Sequence, residues 1–163
     1  MNRLKKFLRC GGTDRRLLIE ALALLCWARL LIRVVPFRRI APHLGQAMKE
    51  SPVNIGDAER QLASRIAWAV QAVVRNAPLG FVCLPQAIAA KWMLRRRRVP
   101  STLYLGLQRK EDVDLTAHAW LRVGDRILTG RAESLNHTAI AMFGEQTGTV
   151  INHGDKEARR EPI

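Results

Sequence analysis

Acidic residues, aromatic residues and cysteines are all scarce in this chain, and each shortage narrows what it can be. Fourteen Asp and Glu stand against 27 Lys and Arg, a formal charge of +13. Such a surface attracts polyanions, anionic lipid or acidic peptide by its long-range field, without choosing among them. Aromatics make up 6% of the 163 residues while apolar residues reach 48%. That suffices for a core in one domain, or a core domain with a helical extension, and excludes wholesale disorder. Three cysteines, an odd number without a disulfide-like spacing, point to a reducing cytosol and a cytoplasmic protein. Cys10 and Cys26 have no chemical setting. Cys26 lies inside an apolar helical stretch and reads as a small buried hydrophobe.

Binding signatures are missing too. No histidine and cysteine pair has zinc-ligand spacing, and Gly11-Gly12 lacks the lysine of a phosphate-cradling loop. No metal, ATP site or cofactor is therefore expected. The run Arg95 to Arg98 has no interleaved aromatics, and no helix-turn-helix or zinc-finger pattern accompanies it. It reads as a solvated helix C-terminus, where cations meet the dipole, and nucleic acid is not a favoured partner. The longest apolar stretch, Leu17 to Val35, contains Glu20, Arg29 and Arg33. Each would cost roughly 2.5–3.5 kcal/mol near a bilayer centre, so a span is not expected. No cleavage site follows it either, which argues against a secretory signal. Arg15, Arg29 and Arg33 fall within about 40° on a helical wheel, a polar line expected to face water while the helix packs on protein. Contact with a membrane surface is the lesser alternative.

The periodicity divides the chain. A basic lead-in ends at Gly11-Gly12, and Thr13 or Asp14 can cap a helix running to about Val35, where Pro36 stops it. A loop through Pro42, Gly45 and Ser51-Pro52 leads to Asp57, a cap for a second helix over Ala58 to about Asn76. Ala77-Pro78-Leu79-Gly80 breaks that helix, and a third begins near Cys83 and ends before Val99-Pro100. After Pro100 the pattern alternates. Thr102 to Leu107 reads as a strand, Gln108 to Asp114 as a charged loop, and the segment across His118 and Trp120 as a second strand. Gly124-Asp125 is a hairpin turn returning through Arg126 to Thr129, and Thr138 to Phe143 is a last short strand. The order implies an α+β domain: a helical region over 1–76, a core over 77–144, and a mobile tail over 145–163.

Cys83 and His118 carry the chemistry. The cysteine opens a helix and the histidine sits in a strand. A thiol becomes a useful nucleophile only as thiolate, which a helix N-terminus and a neighbouring imidazole both favour. Pro85 fits the first turn, where its missing N–H is harmless, so oxyanion donors would be the N–H groups of Cys83 or Leu84. The plain alternatives are a buried structural cysteine and a structural histidine. Alternation puts His118, Trp120 and Arg122 on one face and Ala117, Ala119 and Leu121 on the other. Trp120 would then roof a cleft beside the imidazole or simply cover the sheet edge.

Cys83-Leu84-Pro85-Gln86-Ala87, the helix ending Trp92-Met93-Leu94-Arg95-Arg96-Arg97, Val99-Pro100, a strand ending Leu105-Gly106, and Ala117-His118-Ala119-Trp120 resemble the lasso-peptide leader peptidases. These are the transglutaminase-like "B" proteins of lasso peptide biosynthesis. The Leu-rich helix followed by Pro36-Phe37-Arg38-Arg39 is similar to their N-terminal part, so the resemblance covers about 15–143. It implies a papain-like core in which a cysteine-bearing helix packs on a small antiparallel sheet. It also implies a cysteine peptidase that removes the leader from a ribosomally made precursor peptide, with Cys83 as nucleophile and His118 as general base and acid. An ATP-dependent lasso cyclase would act on the freed core. Some relatives fuse a leader-recognition domain ahead of the peptidase. Here mostly helical residues precede the cysteine helix, so a separate leader-recognition protein is the expected partner. The family's orienting aspartate aligns with Gly130; Glu133, Asn136, Asp112 and Asp114 are the other candidates, while Asp125 sits in the turn. The rival readings are a transglutaminase-type acyltransferase or amidase using the same pair, and a non-catalytic basic adaptor for nucleic acid or a membrane surface.

Overall fold

Hydrophobic periodicity gives way to alternation at Pro100, and there the chain passes from helices to sheet. A computed structural model describes residues 11–77, 80–109, 115–134 and 137–145. The first helix, α1 (Gly12–Val34), buries Leu17, Ala21, Leu25 and Ala28, one stripe at three- and four-residue spacing. Neither Thr13 nor Asp14 caps it. The helix already starts at Gly12 with Gly11 in the cap position, and the Asp14 carboxylate instead accepts from Arg65 at 2.6 Å. Arg15 and Arg33 are exposed as expected, while Arg29 is half-exposed and its long side chain reaches round to the Gly80 carbonyl. One further expectation fails here. Cys26 is exposed rather than buried, since the core stripe passes along the other side of the helix.

After Pro36 come α2 (Phe37–Ile40), a 3-10 turn (Ala41–Leu44) and β1 (Gln46–Ala47), anchored by buried Ile40 and Leu44. The second long helix, α3 (Asp57–Asn76), buries Ala63, Ile66, Ala69, Val70 and Val73. Asp57 lies inside it and pairs with Arg60; Glu59 caps the start by accepting from the Gly56 N–H at 2.8 Å. α4 (Cys83–Arg95) is buried almost all round, and its small residues Ala87, Ala89 and Ala90 let α1, α3 and the sheet approach it closely. It ends where Arg98 adopts a φ of 57° and the Val99 N–H returns to the Leu94 carbonyl. The arginine run is not merely solvated. Arg97 donates to both Glu20 oxygens, at 2.6 and 3.2 Å, and Arg95 donates to the His43 carbonyl at 2.7 Å.

The sheet comprises β2 (Thr102–Arg109), β3 (Leu115–Val123), β4 (Arg126–Thr129) and, after the short α5 (Arg131–Ser134), β5 (Thr138–Gly144). With β1 it is antiparallel throughout in the order β1-β5-β2-β3-β4. One face supplies Leu103, Ala119, Leu121, Val123 and Phe143 to the core shared with the helices. The other carries Tyr104, Trp120 and Arg122. Glu50 accepts there from the Tyr104 hydroxyl at 2.7 Å and from Arg122 at 3.1 Å. Burial, with the Glu50 contact second to it, raises the Tyr104 pKa. The protein is an α+β fold in which the cysteine-bearing helix packs on a small antiparallel sheet.

One charge lies within the core. Lys91 is fully buried on α4, donating to the Ser101 carbonyl at 2.8 Å and standing 3.7 Å from Glu145. Burial lowers its pKa from 10.5 to about 8, against the opposing pull of Glu145.

Candidate active site

Cys83 is the first residue of α4, half-buried at the edge of the core. Of the early N–H groups of this helix, that of Gln86 returns to the Val82 carbonyl at 3.4 Å, and Pro85 has none. Helix geometry leaves the N–H groups of Cys83 and Leu84 without intrahelical acceptors, beside the thiol.

The approach to Cys83 is held from both sides. Gly80 turns with a φ of 53°, and Arg29 of α1 donates to its carbonyl at 2.8 Å. The Arg29 guanidinium carbon also stands 6.0 Å from the centre of the Phe81 ring. From the other side, Gln86 Nε2 donates to the Phe81 carbonyl at 2.8 Å while its oxygen faces Gln71 of α3 at 3.4 Å. Two successive carbonyls ahead of the thiol are thus fixed by side chains of α1 and α4. Neither Arg29 nor Gln86 was expected at the site. A helical wheel records an angle on α1, not the reach of an arginine.

His118 lies near the middle of β3, paired with Gly106 of β2. α4 packs against β3 on the face of Ala119 and Leu121, whereas His118 lies with Trp120 on the other face, so the two elements touch while thiol and imidazole start from opposite sides of the strand. The imidazole is half-buried and stacks on Trp120 at 6.4 Å between ring centres; Trp120 stacks on Tyr104 at 5.5 Å. A Cβ on Gly106 would meet the Trp120 ring at 2.6 Å, so the absence of a side chain there lets the indole lie flat over the strand. Trp120 therefore forms a wall beside the histidine as well as a cover for the sheet.

Gly130 follows β4 with a φ of 72°. A Cβ on it would stand 2.6 Å from His118 Nε2 and 2.8 Å from the Ala119 carbonyl oxygen. Counting through the hairpin therefore located the position beside the ring, but the imidazole fills the space where an orienting side chain would stand. Asp125 is exposed in the hairpin turn. Asp112, Asp114 and Asn136 lie outside the described residues, as does the side chain of Glu133. His137 enters the site unannounced, its ring centre 5.3 Å from that of His118 and tilted by 42°. Nothing in the sequence pattern marked it, because the proximity arises only when β5 pairs with β2.

Among the described residues no group of three or more His, Cys, Asp or Glu could hold a metal ion, and no helix is long and apolar enough to cross a membrane. No curated protein and no solved structure matches the chain. A family model does: that of the transglutaminase-like superfamily, over residues 23–142.

Proposed function

The chain belongs to the transglutaminase-like superfamily, and from that premise we propose that it is a cytoplasmic cysteine peptidase that removes the leader from a lasso precursor peptide. The observation that carries the reading is Cys83 at the start of a buried helix that packs on the strand of His118. In this reading Cys83 is the nucleophile and His118 the general base and acid.

Sγ attacks the scissile carbonyl carbon, and the N–H groups of Cys83 and Leu84 receive the oxyanion that forms. The imidazolium then gives its proton to the departing amine of the core peptide, leaving the leader as a thioester on Cys83. Water, deprotonated by the same imidazole, attacks that thioester and releases the leader as a free acid. A separate leader-recognition protein would deliver the precursor by tethering its leader, which raises the effective concentration of the scissile bond. An ATP-dependent cyclase would consume the freed amine.

Mass spectrometry of precursor incubated with the protein tests the reading. Free leader acid is expected from the parent chain, and none from Cys83→Ala at unchanged folding. Cleavage retained by Cys83→Ala removes the peptidase assignment, and a product heavier by an amine reassigns the site to acyl transfer.

A further inference from the structure

The outward face of α1 is apolar where an ordinary surface helix is polar. Ile19, Leu22, Cys26, Trp27, Leu30 and Val34 are all exposed. Four of them are more than half exposed: Val34 at 66%, Ile19 at 59%, Trp27 at 52% and Leu30 at 51%. At 100° per residue these positions sweep about 140° of the helix, opposite the stripe of Leu17, Ala21, Leu25 and Ala28 that meets the core. A continuous apolar strip of this kind marks an interaction surface.

Charge indicates what covers it. Exposed Arg15 and Arg16 stand at one end of the strip and Arg33 at the other, with exposed Arg38 and Arg39 just beyond Pro36. Both acids of α1 are already engaged, Asp14 by Arg65 and Glu20 by Arg96 and Arg97. The surface offered is apolar in the middle and cationic at both ends. A second copy fits it poorly, because parallel or antiparallel pairing sets arginine against arginine on chains that each carry +13. A single acidic helix would cover a narrow seam rather than an arc this wide. A planar anionic surface satisfies the whole arc and both ends, and it suits Trp27 at the edge, where an indole favours the boundary between water and lipid.

We infer that α1 docks the protein flat on an anionic bilayer surface. The apolar arc enters the boundary between headgroups and acyl chains, and the arginines at its ends meet the lipid phosphates. Cys83 plays no part in this contact, so the inference stands apart from the peptidase reading.

Flotation of the full-length chain tests it, using phosphatidylcholine vesicles with and without roughly one third phosphatidylglycerol. The parent protein is expected to bind the anionic vesicles at least about tenfold more tightly than the neutral ones. Leu22→Gln/Leu30→Gln should lose about tenfold or more with its melting unchanged, since both side chains are exposed. Arg15→Gln/Arg16→Gln/Arg33→Gln should lose roughly a hundredfold on anionic vesicles, each arginine counting for about fivefold. Cys83→Ala should float as the parent does, which separates failure here from failure of the peptidase reading. A parent protein that stays off anionic vesicles, or a Leu22→Gln/Leu30→Gln protein that still floats, overturns the inference. So does self-association, or capture of an acidic helical peptide, that depends on Leu22 and Leu30 in the absence of vesicle binding.

Discussion

Replacing Gly130 by alanine is the sharpest test of how the histidine is seated. Two costs add at this residue. A φ of 72° lies in the left-handed region, where an L side chain costs about 1–2 kcal/mol. The new methyl would also meet His118 Nε2 at 2.6 Å and the Ala119 carbonyl oxygen at 2.8 Å. The imidazole can swing away, whereas the backbone oxygen can move only with β3, so crowding adds about 1–3 kcal/mol. The central expectation is a loss of about 3 kcal/mol, a drop in melting temperature of roughly 6–12 °C for a chain of this size. Displacing the ring by about 1 Å should lower leader cleavage by on the order of a hundredfold. Gly130→Asp should fare no better than Gly130→Ala, because the carboxylate would arrive on a Cβ that has no room. Thermal melting and single-turnover cleavage on the three proteins decide the matter. A Gly130→Ala protein that melts within about 2 °C of the parent and cleaves at the parent rate refutes the argument.

His118→Ala should slow alkylation of Cys83 by iodoacetamide at pH 7 by roughly tenfold or more, since the thiol loses its base; an unchanged rate returns the histidine to a structural role. Arg29→Ala should lower kcat several-fold with little change in KM, because it frees the Gly80 carbonyl ahead of the thiol, and Arg29→Lys should recover part of the loss. A drop in stability without a change in kcat would make Arg29 purely structural. Lys91 sets a pH dependence: its folded pKa, about 8, lies below its unfolded value of 10.5. The unfolded chain therefore holds more protons in that window, and stability rises from pH 8 to 10.5 by up to about 3 kcal/mol. Denaturant melts of the parent minus those of Lys91→Met should show this rise, and a flat difference curve contradicts the assignment.

The long elements were legible because each carries its own periodicity. Helices α1, α3 and α4 and strands β2 to β5 start or end within a few residues of the positions marked by prolines, glycines and the change to alternation. The pieces that escaped are short and depend on distant contacts. β1 exists because Gln46 and Ala47 pair with Gly144 and Phe143, and no local pattern in two residues announces that. The same holds at the site. Cys83 and His118 could be singled out by their places in a helix and a strand, and Gly130 by counting through a hairpin. His137 could not, because it approaches His118 only through the pairing of β5 with β2. The helical wheel placed Arg15 and Arg33 rightly on the outward side of α1, but the Gly80 carbonyl that Arg29 reaches comes from a distant segment it cannot show.

The strand order also sets a timetable for assembly during synthesis. β5, the last strand, lies inside the sheet between β1 and β2, so residues 138–144 must leave the ribosome before β1 gains its partner or β2 its second. α1, α3 and α4 all precede β2 to β5 in the chain, so their mutual contacts can form before the sheet is complete. The thiol is thus translated well ahead of the strand that carries the imidazole, and that strand ahead of the one that completes the sheet. A nascent chain halted after α4 presents Cys83 without His118. If the two act as proposed, topology alone would keep their chemistry from the unfinished polypeptide.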